Sequence, residues 1–138
     1  MNIMKEPVIQ KDILGCGIAC TAFVLGINYK NALRLFPDGR QKAKQKGFIC
    51  KEIVGVLKKQ NISVHYKYIN KKIRRKIYRD NVIVFIKRSK KYPFGHYLVR
   101  YKNLWMDPWI NFPENKNIKK TVSGFRKRLL GRPIYVIF

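Results

Sequence analysis

The apolar positions change their period near residue 60. After Gly15, the residues Ile18, Ala19, Ala22, Phe23 and Gly26 fall at the three- and four-residue spacing of one helix face, with Gly26 placed to end the helix. A short second helix is predicted around Lys30 to Leu35, stopped by Pro37, and Ile49, Ile53, Val56 and Leu57 mark a third that runs to about Gln60. Between these two, the polar and basic stretch Asp38 to Gly47 reads as a loop. Beyond residue 60 the pattern becomes that of strands. Ile62, Val64, Tyr66 and Tyr68 alternate with polar residues, and Asn81 to Lys87 encloses an apolar run suited to a central strand. Lys71 to Arg79 reads as a short connecting helix. His96 to Tyr101 and Leu104 to Asp107 flank the pair Lys102-Asn103, the pattern of a two-residue β-hairpin. Val122 to Leu130 is predicted as a last helix and Ile134 to Phe138 as a closing strand. Helices followed by mostly antiparallel strands make an α+β domain. No repeat or linker divides it, so one domain over 1–138 is expected, its helical half about 1–60 and its sheet half about 61–138.

Composition fits that picture and adds one anomaly. A chain of 138 residues, 46% of them hydrophobic, can bury a core without staples. Three cysteines are an odd number with no disulfide spacing, and no signal-like apolar run precedes Lys5 and Glu6, so a reducing, cytoplasmic setting is expected. The apolar runs are far shorter than the roughly 20 residues that cross a bilayer. The anomaly is charge: 31 Lys and Arg against 7 Asp and Glu give a formal +24. Such a field attracts polyanions or acidic peptides. Lys71 to Arg79 and Arg126 to Arg128 could meet nucleic-acid phosphates, but the basic residues are spread along the chain and no nucleic-acid-binding motif accompanies them. An acidic protein substrate or a membrane-bound partner accounts for the charge equally well.

The candidate chemistry centres on Cys16, which lies between two glycines just before the first predicted helix. A helix N-terminus favours a thiolate through its unpaired N–H groups and dipole, and the N–H of Cys16 could donate to an oxyanion. A cysteine at a helix start is by itself more often a core residue. Of the two histidines, His65 sits inside a predicted strand, whereas His96 opens one after the loop Ser89 to Gly95, where sites are built. In the predicted hairpin Tyr101 pairs with Leu104, so Leu98 faces Asp107 and His96 is diagonal to Asp107, at roughly 7–8 Å between backbones. That supplies a carboxylate to orient the imidazole, the third part of a nucleophile, base and orienter set. Gln10, six residues before Cys16, could donate its amide to a tetrahedral oxyanion. A zinc site of Cys16, Cys20 and Cys50 is disfavoured because the first two lie one helical turn apart rather than in a knuckle, and no metal or cofactor is expected. Cys20 and Cys50 read as core residues.

Together these segments resemble a family. Pro7-Val8-Ile9-Gln10 followed by Gly15-Cys16-Gly17-Ile18-Ala19-Cys20 resembles the start of the bacterial C39 peptidases, and Gly95-His96-Tyr97-Leu98-Val99 with Asp107-Pro108 resembles their histidine and aspartate segments. The resemblance covers nearly the whole chain in the same order. It implies a papain-like fold and a thiol peptidase that cleaves a precursor or leader, typically of a bacteriocin and after Gly-Gly, with an ABC exporter as partner. Two departures matter. Gly15 stands where exporter-linked members commonly carry Asp, and the chain ends at its closing strand without a transmembrane or ATPase portion, so an excised domain and a stand-alone relative are both expected possibilities. A papain-like site can also attack side-chain amides or transfer acyl groups, which makes a deamidase or acyltransferase the nearest enzyme alternative. A non-catalytic basic module for nucleic acid or an acidic peptide is the alternative from another class.

Overall fold

A computed structural model describes residues 4–138. The first helix, α1 (Cys16–Leu25), is apolar all round, and Gly17 through Phe23 are all buried. Such a helix must be enclosed on every side. α2 (Tyr29–Arg34) and α4 (Cys50–Lys59) pack beside it, and strand β3 (His96–Tyr101) lies beneath it. Gly26 ends α1 in the left-handed conformation at φ 71°, as its position predicts. The Asn28 side chain accepts from the Asn31 N–H at the start of α2. In α4 the Glu52 carboxylate accepts from the Ile49 N–H, closing the first turn.

The stretch read as a basic loop contains a further helix, α3 (Gly39–Gln45). Its inward residues are only Gly39 and Ala43, so no apolar stripe announces it, although Gln, Lys, Arg and Ala favour helix. The main-chain oxygen of Ala43 accepts from the Leu14 N–H at 2.8 Å, so α3 fixes the loop that leads into Cys16.

Six strands form one antiparallel sheet in the order β1-β6-β2-β3-β4-β5. They are β1 (Tyr66–Tyr68), β2 (Ile83–Ile86), β3, β4 (Leu104–Asp107), β5 (Gly124–Arg126) and β6 (Pro133–Ile137). The predicted hairpin is present: Tyr101 pairs with Leu104, and Lys102 and Asn103 take φ of 45° and 65°, the double positive φ of a type I′ turn. One face of the sheet packs on the helices through Ile83, Tyr97, Val99, Met106 and Ile137. The other carries a second cluster, in which Leu98, Trp105 and Val136 meet Ile77 of the 3₁₀ turn at Arg74–Tyr78 and Ile73, which caps that turn.

Three expectations are corrected. The strand expected from Ile62 shrinks to Tyr66–Tyr68, an edge strand with all three residues exposed; Ile62 and Val64 pack on the core without joining the ladder. The helix expected at Lys71 to Arg79 is 3₁₀ and shorter. The last helix expected over Val122 to Leu130 is absent. β5 stands there instead, because pairing with β4 satisfies its backbone and Phe125 packs on Phe23 and Tyr101.

Candidate active site

Cys16 is the first residue of α1, partly exposed and not in a disulfide. The first N–H groups of a helix have no partner within it, so the N–H of Cys16 is available to a ligand. Its neighbour Gly15 is required by space. A Cβ there would stand 2.0 Å from the Tyr29 hydroxyl, which donates to Asp12 Oδ2 at 2.8 Å. A longer side chain at position 15 therefore has no room, and the nearby acidic group is Asp12, three residues earlier.

His96 and Asp107 meet as the hairpin register predicts. His96 Nε2 lies 2.7 Å from Asp107 Oδ1, and both side chains are buried. With Nε2 engaged, Nδ1 is the ring nitrogen left unengaged, and Cys16 is among the neighbours that favour the charged ring. Burial opposes charging the ring, but the Asp107 carboxylate and then Cys16 outweigh it and lift His96 from 6.5 to about 10. Asp107 shows the opposite balance. Burial would raise it, yet His96, the Trp109 N–H at 3.0 Å and the Arg126 guanidinium hold it below its ordinary 3.8. The loop before β3 supplies a wall: the Tyr92 ring stacks on the imidazole at 5.1 Å with planes 5° apart, and on Phe112 at 5.6 Å. Gly95, at φ 72°, makes the bend that delivers His96; a Cβ there would meet the Phe85 ring at 2.1 Å.

Gln10 is 1% exposed and lies beside this group, its N–H donating to the Pro108 carbonyl at 3.3 Å. Its amide nitrogen donates to the Asp12 and Ile13 carbonyls, each at 3.0 Å, and Oε1 is buried without a partner. In this arrangement both amide hydrogens hold the Cys16 loop. His65 is elsewhere, against Phe138 at the sheet edge. Cys20 is fully buried in the core, while Cys50 is buried with its sulfur 3.7 Å from the Tyr97 hydroxyl. Among the described residues no group of three His, Cys, Asp or Glu side chains is placed to hold a metal ion.

A groove of about 820 Å³ opens over Cys16, Gln10 and His96. Its floor is apolar and aromatic, including Phe48, Phe85, Tyr97 and Trp109, and Lys46, Lys51, Lys87, Arg88 and Lys116 stand along it, with no Asp or Glu among the described residues that line it. Two contributors escaped the sequence reading. The local sequence of Arg126 suits a helix and phosphate contacts, and only the β4–β5 register places it at Asp107. Tyr92 carries no sequence signal beyond standing four residues before His96.

No protein-family model matches the chain, and no curated protein matches it. Among solved structures it is similar to the peptidase domain of Streptococcus ComA, a bi-functional ABC transporter involved in a quorum-sensing pathway. The TM-score is 0.57 at 22% identity, covering 98% of this chain and 97% of that one. The α+β, papain-like fold expected from the sequence, helices packed on an antiparallel sheet, is the fold found. No helix among the described residues is long and apolar enough to cross a membrane.

Proposed function

We propose that this chain is a thiol peptidase that cleaves a peptide precursor or leader. The observation that carries the reading is the buried His96–Asp107 pair at 2.7 Å, with Nδ1 left for a cysteine at a helix N-terminus and a groove lying over both. Cys16 attacks the scissile carbonyl. His96 holds the thiol proton, hands it to the leaving amine and later draws a proton from the water that hydrolyses the thioester; Asp107 fixes its tautomer. The N–H of Cys16 donates to the oxyanion. Gln10 is the second donor, and releasing one of its two loop carbonyls frees the hydrogen it needs.

An apolar floor with cations along it suits an extended peptide bearing apolar residues and carboxylates. Cleavage after Gly-Gly rests on the sequence resemblance alone, and an ABC exporter as partner rests on that resemblance and on the ComA neighbour, itself part of an ABC transporter. The test is to incubate wild type and Cys16→Ala with the peptides encoded beside this protein and read the products by mass spectrometry. Cleavage by wild type alone supports the reading, and equal cleavage by the Cys16→Ala protein refutes it. A mass shift without chain cleavage would make it a deamidase or acyltransferase, and steeply salt-dependent nucleic-acid binding with no hydrolysis would make it a binding module.

A further inference from the structure

Asp107 stands in the middle of three strands and is held from both sides. The β4–β5 register pairs Asp107 with Gly124 and Trp105 with Arg126, so Arg126 is diagonal to Asp107 on the same sheet face. His96 is diagonal to Asp107 in the other direction, since extending the β3–β4 register sets Leu98 opposite Asp107. The carboxylate divides accordingly: Oδ1 faces His96 at 2.7 Å and Oδ2 faces Arg126 Nη1 at 3.0 Å. Arg126 is largely shielded, with a side-chain exposure of 19%, and it does not line the groove.

We propose that Arg126 is a positioning residue of the site, which clamps Asp107 Oδ2 so that Oδ1 is presented to His96 and offsets part of the carboxylate charge that binds the imidazolium proton. The inference rests on the thiol-peptidase reading for its purpose. A carboxylate shared only with His96 would hold the proton too firmly, and a general acid works best when its affinity for the proton lies near the working pH. A second cation on the far oxygen loosens that hold while keeping the geometry. The groups that face His96 are Asp107 on β4, Cys16 on α1 and Tyr92 in the loop before β3. Arg126 on β5 stands behind Asp107 and also acts on the buried Tyr92 hydroxyl, near which Glu114 contributes negative charge. Cys20, deeper in α1, is raised by its burial and by the negative charge of Cys16 and Asp107.

The experiment is an NMR titration of the imidazole signals, with His65→Gln identifying His96, in wild type, Arg126→Met, Arg126→Gln and Arg126→Lys. No substrate is needed. Removing the charge is expected to raise the His96 midpoint by about half a unit or more, roughly a threefold tighter hold on the proton. Arg126→Gln keeps a donor to Oδ2 and tests charge even if the Met variant does not fold. Arg126→Lys keeps the charge and stays near wild type. Loss of structure moves the midpoint down, toward the ordinary 6.5, so the sign separates charge from collapse. An unchanged or lowered midpoint in a Gln variant whose circular dichroism matches wild type overturns the proposal. A wild-type midpoint already near 6.5 would instead overturn the pairing on which the peptidase reading stands.

Discussion

His96 Nε2 and Asp107 Oδ1 are 2.7 Å apart although the residues lie on diagonal positions of a hairpin, and the closeness follows from the two-residue turn at Lys102-Asn103. A turn one residue longer would shift the register and send Asp107 to the opposite face. The pair is thus a product of local chain geometry before any catalytic consideration. Its importance is tested by Asp107→Asn, which keeps shape but can donate where the native side chain only accepts. The wrong tautomer and the lost charge are expected to slow acylation of Cys16 by roughly 10³–10⁴-fold, the scale seen for such a change in serine triads. Single-turnover cleavage of an identified peptide, with near-wild-type circular dichroism, checks it.

The same pair sets a pH dependence of stability. His96 binds its proton more tightly folded, at about 10 against 6.5, so its contribution is complete below 6.5 and is lost as pH rises through about 10. Asp107 is depressed below 3.8, so its contribution is present above 3.8 and fades as pH falls through the lowered value. The two overlap between about pH 3.8 and 6.5, where the pair stabilises most. Urea midpoints measured against pH should show a decline above neutrality that His96→Gln abolishes; a decline of equal size in that variant would assign it to other groups.

Why some of this was legible in the sequence and some was not is visible in single residues. Cys16, His96 and Asp107 sit at a helix start and on a hairpin, where spacing alone dictates neighbours. The α1 and β2 segments are strongly apolar and declare themselves. By contrast α3 buries only Gly39 and Ala43, too little to imprint a period, so its polar sequence looks like that of a loop. β5 is three residues long in a stretch of Lys, Arg and Leu whose local preference is helical; the pairing with β4 that overrides it is non-local, and with it went the role of Arg126. The hydrogen bonds of Gln10 depend on where Asp12 and Ile13 place their carbonyls, which no periodicity reports.

Tyr92 offers a test that separates its ring from its hydroxyl. The ring stacks on His96, while the hydroxyl is buried without a partner of good geometry. Tyr92→Phe keeps the stack and removes a desolvated polar group, so stability should hold or rise by up to about 1 kcal/mol with little change in turnover. Tyr92→Ala opens the wall and leaves the imidazole free to turn, and it should lower turnover well below that of the Phe variant. Equal rates in the two would show that the stack does not orient His96.

Gln10 is expected to act on rate more than on binding. Removing one oxyanion donor costs about 10²–10³ in turnover, so on the proposed role Gln10→Ala should lower kcat on that scale and leave KM nearly unchanged. It also strips two carbonyls of their donor in the loop that carries Cys16, and thermal unfolding should show a loss of about 1–3 kcal/mol. A variant with the stability loss but wild-type kcat would make Gln10 a brace of the loop alone.

Gly15 ties that loop to the helical layer through Tyr29. The Tyr29 hydroxyl fills the space that a Cβ at position 15 would need, 2.0 Å away, and its bond to Asp12 holds the turn whose Gly15 N–H donates to the Asp12 carbonyl at 3.0 Å. Gly15→Ala must push the tyrosine aside or bend the approach to α1. Overpacking of this kind costs about 1–3 kcal/mol, and because Cys16 is the next residue it should also misplace its thiol and slow its reaction with iodoacetamide. Tyr29→Phe removes the clashing oxygen at the expense of the bond to Asp12. If the clash is the cause, the double variant Gly15→Ala with Tyr29→Phe is more stable than the sum of the single losses predicts, by about 0.5–3 kcal/mol of coupling. Additive losses in that cycle would mean that Gly15 is needed for some reason other than the tyrosine, and the space argument would fall.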